Sequence, residues 1–190
     1  MVRYALIVLG LVLGLSVFFA TRPVPQPPVP PKGVSLENVS LVLYPEQDPE
    51  AKWRFRAKEV VQDPGNRESK VTGLEEGARY VGDKLDLRLS APEVTIDRND
   101  NLRAPYATAE ILKGCLKVEL GKPGSPPVSI DQRAGFAAPT VRISSPTYSA
   151  SGVNFTSDFA IEKIRWGDPA WKFYDYPQGQ TPPCTIKGGD

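Results

Sequence analysis

The chain has 190 residues, with 23 basic and 22 acidic side chains, two cysteines and no histidine. Without histidine it lacks the commonest general base and the commonest transition-metal ligand, so catalysis and metal chemistry start as minority readings. From Lys32 onward 21 basic residues face 22 acidic ones, a balance that leaves no electrostatic footprint for nucleic acid.

Behind the short basic head Met1-Val-Arg3 runs an uncharged apolar stretch from Tyr4 to Thr21. As a helix it would rise roughly 27 Å, close to the hydrocarbon thickness of a bilayer. The stretch predicts a transmembrane anchor over residues 1–21, with Tyr4, Leu6, Leu11, Leu15, Phe18 and Phe19 among its apolar and aromatic residues. A cleaved secretory signal is the rival reading. Cleavage after Ala20 would put Phe18 where a small side chain is wanted, and no cysteine follows to take a lipid. The short head favours an N-inside orientation, although Arg3 is nearly matched by Arg22 and Lys32 beyond the stretch. Residues 22–33 form a proline-rich linker, Arg22-Pro-Val-Pro-Gln-Pro-Pro-Val-Pro-Pro31. Proline fixes φ and favours extended polyproline II, so the linker predicts a stiff standoff of about 30 Å.

The remainder, about 160 residues, suits one domain with a real core. Its pattern alternates with a period of two, and no helix of useful length is predicted. Trp53-Arg-Phe55-Arg-Ala57-Lys58 places aromatic and small residues on one face and cations on the other. Leu85-Asp-Leu87-Arg-Leu89, Val94-Thr-Ile96, Leu116-Lys-Val118-Glu-Leu120, Val141-Arg-Ile143 and Val153-Asn-Phe155 repeat the design. Each reads as a strand wet on one side. Asp63-Pro-Gly65, Asn99-Asp-Asn101, Lys122-Pro-Gly-Ser-Pro-Pro127 and Ser144-Ser-Pro146 carry the residue types that reverse a chain. Ten or more short strands predict an all-β sandwich, barrel or roll. An unclosed roll would leave an edge at each end, and Val39 to Leu43 and Phe155 to Ile164 are the candidates.

Cys115 and Cys184 are either a single bridge in an oxidising compartment or two separate thiols. Trp166, Trp171, Phe173, Tyr174 and Tyr176 crowd the start of a tail, 166–190, that turns Pro/Gly-rich. That cluster is read as a flap over an open edge or as a partner-docking strip. No GxSxG, GxGxxG, Walker loop or CxxC pair occurs. Glu75, Glu76, Asp83, Asp97 and Asp100 are expected to be solvated or to cap turns. Asn38-Val-Ser40 and Asn154-Phe-Thr156 match the glycosylation sequon, a weak pattern.

The single anchor, then Val39-Ser-Leu-Val-Leu-Tyr44, then Trp53-Arg-Phe-Arg-Ala57-Lys-Glu-Val60, followed by short strands, resembles the periplasmic LptC family of lipopolysaccharide export. Val128-Ser-Ile-Asp-Gln-Arg-Ala134, Thr140-Val-Arg-Ile-Ser144 and Tyr148-Ser-Ala-Ser-Gly152-Val-Asn-Phe-Thr-Ser-Asp158 look like the last turns of the same fold. The likeness covers residues 34–165 and is one of layout, without a diagnostic short motif; the aromatic tail has no counterpart in it. It implies a twisted, open β-jellyroll (a β-taco, as in LptA/LptC/OstA-like domains) whose splayed sheets leave an apolar groove. It further implies a non-enzymatic carrier without cofactor, anchored in the inner membrane with its domain in the periplasm. Such a carrier would accept lipopolysaccharide or a related envelope lipid from the transmembrane subunits of an ABC transporter. It would pass the lipid to an LptA-like bridge protein by strand augmentation. Groove candidates are Trp53, Phe55, Ala57, Leu85, Leu87, Leu89, Val94, Ile96, Val118, Val141 and Phe155, which alternation alone would equally place in a closed core. The alternative from a different class is an anchored envelope scaffold that binds proteins through edge strands or the aromatic tail.

Overall fold

A computed structural model describes residues 33–175 and 183–184; the expected anchor, nearly all of the linker and most of the Pro/Gly-rich tail lie outside them. The domain is all-β. Its twelve strands are β1 (Val34–Leu43), β2 (Ala51–Asp63), β3 (Glu68–Val81), β4 (Lys84–Ser90), β5 (Glu93–Ile96) and β6 (Leu102–Ala104), followed by β7 (Ala107–Ile111), β8 (Leu116–Leu120), β9 (Val128–Asp131), β10 (Gly135–Ser144), β11 (Tyr148–Ser157) and β12 (Arg165–Phe173). All pairings are antiparallel, and the described residues contain no helix.

Two long strands explain the closure. On the side away from β2, β3 pairs through Ser69–Thr72 with β5 and through Ala78–Val81 with β4. In the same way β10 pairs through residues 135–137 with β9 and through residues 141–144 with β8, while β11 follows its other side. The ladder therefore returns on itself as β3-β4-β7-β8-β10-β9-β6-β5-β3, an antiparallel sheet closed into a barrel. β1 and β2 extend it from β3, and β11 and β12 extend it from β10.

Chain order turns this ring into two layers joined along a crease. β4 leads into β5 through Ala91-Pro92, β6 into β7 through Pro105-Tyr106, and β8 into β9 through residues 121–127, each pair making one bent rung. The long strands bend on the same line. Asn38 (φ 52°) kinks β1, β3 carries a bulge at Glu75 opposite Arg56 and Ala57 of β2 as well as Gly73 (φ 64°), and Asp168 (φ 47°) lies in β12. Bulges and left-handed residues are how a strand turns a corner without losing its ladder. Both sequon asparagines belong here, since Asn38 and Asn154 (φ 50°) adopt the left-handed conformation that asparagine tolerates well. Gly77 is needed for a different reason: a Cβ there would lie 2.6 Å from the Leu89 carbonyl oxygen, where β4 enters the crease.

Between the layers sits one apolar cluster drawn from β2 to β11 and from Ile161 in the segment that follows. The middle rung is lined by small residues, Ala104, Ala107 and Ala109, each 3 % exposed or less, which lets the layers approach closely. Cys115 and Cys184 form a disulfide, Cα–Cα 5.7 Å, that ties the chain beyond β12 to the β7–β8 turn. Two expectations are corrected. The C-terminal edge is β12, because β11 is flanked on both sides and cannot be an edge. The boundary after residue 165 falls inside the sheet, since Arg165–Phe173 pairs with β11 and the aromatic segment begins as a strand.

Candidate functional site

Of the eleven groove candidates, Trp53, Phe55, Ala57, Leu87, Leu89, Val94, Ile96, Val118, Val141 and Phe155 lie in the interior, none more than 5 % exposed. Alternation put them there correctly, and they pack against one another rather than line an empty channel. Leu85 departs from the set. A register shift after Arg79 leaves Asp86 unmatched and sets Leu85 opposite Tyr80. Paired residues share a face, so Leu85 belongs with the outward row where the Arg54 guanidinium stacks 4.9 Å from the Tyr80 ring.

Opposite the crease, the free rims of the two layers meet at a mouth. Trp53 pairs with Arg79, whereas the β5–β6 turn adjoins Ser69, ten residues earlier on β3. A straight strand would separate those points by about 33 Å. Yet the Trp53 indole N–H donates to Gln132 Oε1 at 3.0 Å, and Gln132 Nε2 donates to the Asp100 carbonyl at 2.8 Å. The Gln132 backbone N–H is received by Asn101 Oδ1 at 3.1 Å. Gln132 is 2 % exposed, so this latch is buried, and an unmatched amide there would cost about 1–3 kcal/mol.

Beside the latch lies Arg79, buried and paired with Asp48 of the β1–β2 loop and Asp86 of β4. Its Nε is buried without an acceptor. One cation between two carboxylates is locally over-neutralised, so removing Arg79 would leave two part-buried carboxylates unmatched, whereas removing one carboxylate leaves a matched pair. The face of the guanidinium is covered by Phe159, 4.2 Å from the ring centroid. That ring also meets Phe136 edge-on at 5.3 Å and Trp53 at 6.3 Å.

Phe159 comes from residues 158–164, between β11 and β12, and sequence reasoning missed it because a lone aromatic after a strand carries no pattern. Asp158 shapes this segment by accepting the N–H groups of Glu162 at 2.8 Å and Lys163 at 3.2 Å. Partial burial opposes the Asp158 charge, but those two bonds, the Ser157 hydroxyl and the Lys163 charge outweigh it and hold the carboxyl below its ordinary range. The rim is crossed again by Lys113 and Glu162 at 2.7 Å, and the hydrogen bond from this pair raises the Lys113 pKa.

Four of the five singled-out acids have structural partners, and Glu75 is exposed: Glu76 meets Arg56 at 3.3 Å and Asp83 meets Lys52 at 3.0 Å. Asp97 caps its own turn through Asn99 and Asn101, and Asp100 receives the Glu46 N–H at 3.4 Å. Elsewhere, apolar side chains surface at both end strands. On β1, Val34 and Leu36 are 56 % and 52 % exposed, and on β12 Trp171 and Phe173 are 48 % and 72 % exposed. Trp171 pairs with buried Ala150, so its ring continues the inner face; it stacks on Phe173 at 6.0 Å and meets Trp166 edge-on at 5.3 Å. Tyr148 sits against both Trp171 and Phe173, and burial raises its pKa.

No family model matches the chain, and no curated protein matches it.

Proposed function

We propose that this chain is a non-enzymatic carrier that shields the acyl chains of an envelope lipid. It would receive the lipid from an inner-membrane ABC transporter and pass it to a periplasmic bridge protein of the same fold. The observation that carries the reading is the continuity of the apolar inner face. It fills the barrel and then runs on, exposed, into β1 through Leu36 and into β12 through Trp171. An interior row that surfaces at both end rungs suits a chain-like ligand handed from one module to the next, at about 0.8 kcal/mol per sheltered methylene. Rungs creased along one line also fit the twisted β-jellyroll that the sequence resembles. Each end strand has a ladder partner on one side only among the described residues, which suits strand augmentation by a partner. The apolar stretch at 4–21 supports a single-pass inner-membrane anchor with this domain in the periplasm.

The packed interior favours a second reading, an anchored scaffold that binds proteins through β1, β12 and the aromatic strip. Benzophenone placed at Leu36 and at Trp171, with Arg54 as the outward control, separates the two in cells. A lipid adduct at the inward sites, lost when the transporter ATPase is inactive, supports the carrier. Protein adducts alone at those sites, with the domain folded and exported, would leave the scaffold.

A further inference from the structure

Resting on the carrier reading, we propose that residues 158–164 are a lid over the mouth. The Phe159 ring holds the place that the first apolar chain takes on entering between the layers. Three observations carry this. Phe159 belongs to a connecting segment, not to a rung, yet its half-buried ring touches both layers: Phe136 at the start of β10 on one side, and Trp53 and Arg79 on the other. Next, the segment is held together from within by Asp158, so it can move as a unit. Its tie to the far rim, Lys113 to Glu162, joins side chains 75 % and 60 % exposed, a weak class of contact. The hinge is also defined. At Gly135 (φ 90°) a Cβ would lie 2.3 Å from the Ser157 carbonyl oxygen, which fixes the root of the lid, and Ile161, 8 % exposed, seats its far part in the apolar cluster, so lifting uncovers both side chains.

Charge selects the ligand. With the ring lifted, the exposed position is floored by Trp53, Phe136 and an Arg79 already matched by Asp48 and Asp86. The Arg79 charge is already exceeded by its two carboxylates, which repel an anion even though the buried Nε–H has no acceptor, so the position takes a single acyl chain rather than a phosphate or carboxylate.

The test uses the full chain reconstituted in phosphatidylethanolamine and phosphatidylglycerol vesicles doped with a 16-carbon diazirine fatty acid. Photolabelled residues are mapped by mass spectrometry. Phe159→Ala is expected to raise labelling around Trp53 and Phe136 by at least about fivefold, the population change from its partly buried cation–π contact alone, before the ring contacts to Phe136 and Trp53 are counted. Phe159→Trp, a larger plug, should lower it. Equal interior labelling in wild type and both variants would overturn the lid and leave the carrier. No interior labelling in any variant, with native circular dichroism, would overturn the carrier itself. If Phe159→Ala does not fold, hydrogen exchange in the wild type decides. Amides of Glu162 and Lys163 exchanging faster with the fatty acid present support the lid, and unchanged rates overturn it.

Discussion

Two lines cross the rungs of this barrel, the crease and the mouth, and different parts of the chain close them. The crease is closed by main chain: Gly121 N–H donates to the Thr140 carbonyl at 2.8 Å, Gly73 N–H to Pro92 at 3.4 Å, and Gly77 lies against Leu89. Most of the mouth is closed by side chains: one indole–amide bond, one exposed ion pair and one ring over a guanidinium. Undoing the first set means unpairing strands, whereas the second set opens by rotamer changes. Between these two lines a ligand therefore enters more readily by the mouth than by the crease, and stability and access can be perturbed separately.

The sharpest separation comes from the crease. Gly77→Val drives a branched side chain into a carbonyl oxygen, and we expect a loss of about 3–5 kcal/mol in chemical denaturation followed by circular dichroism. A loss below about 1 kcal/mol would mean that the crease yields as readily as the mouth. The disulfide ranks next. It closes a loop with a sequence separation of 69, for which chain entropy gives about 4 kcal/mol as an upper figure. The double variant Cys115→Ser/Cys184→Ser should lose about 2–4 kcal/mol while the mouth latch stays intact. The latch is read from an unchanged emission maximum of buried Trp53 in a Trp166→Phe/Trp171→Phe background.

Against that contrast, the crease was nearly invisible in the sequence and the interior was plain. Period-two alternation placed Trp53, Phe55, Leu87, Val118 and Phe155 inside because side-chain direction in a strand is local. Leu85 went wrong because a bulge is a property of two strands, and no pattern in β4 alone reveals the extra Asp86. Turn chemistry marked 122–127 as a reversal, but that segment carries the chain from one layer to the other, a distinction only the fold supplies. Asn38 and Asn154 matched a glycosylation pattern, and the fold gives both a conformational use that the pattern does not encode. Gln132 and Arg79 were missed because a polar residue in a strand or turn usually faces water, and both earn burial only through partners distant in sequence.

The latch should respond more mildly than the crease. Trp53→Phe keeps most of the ring but removes the indole N–H, leaving Gln132 Oε1 buried without its donor. The expected loss is about 1–2 kcal/mol. In the Trp53→Phe background, Gln132→Leu should cost less than it does alone, because the polar partner has already been orphaned. Additive losses in that double-mutant cycle would show that the two side chains do not act as one latch.

The smallest expected effect is set by pH and belongs to the lid alone. The Asp158 carboxyl lies below its ordinary value of 3.8, so folding of the segment is favoured while this group is ionised. That contribution is fully present above the ordinary value and fades as pH falls through the lowered one. Lys163 and Lys113 are the cations facing this corner, and Asp86 and Glu162 the other acids. Lys113 titrates on the basic side, where its raised pKa keeps the Glu162 pair charged through neutrality. A fluorine label on the Phe159 ring should therefore hold one chemical shift from pH 7 to about 4.5 and move toward the solvent-exposed value below pH 4. Asp158→Asn, which cannot ionise, should remove that acid limb. If the shift moves equally in Asp158→Asn, carboxylates elsewhere set the transition, and the lid would be part of the rigid barrel rather than its one separable piece.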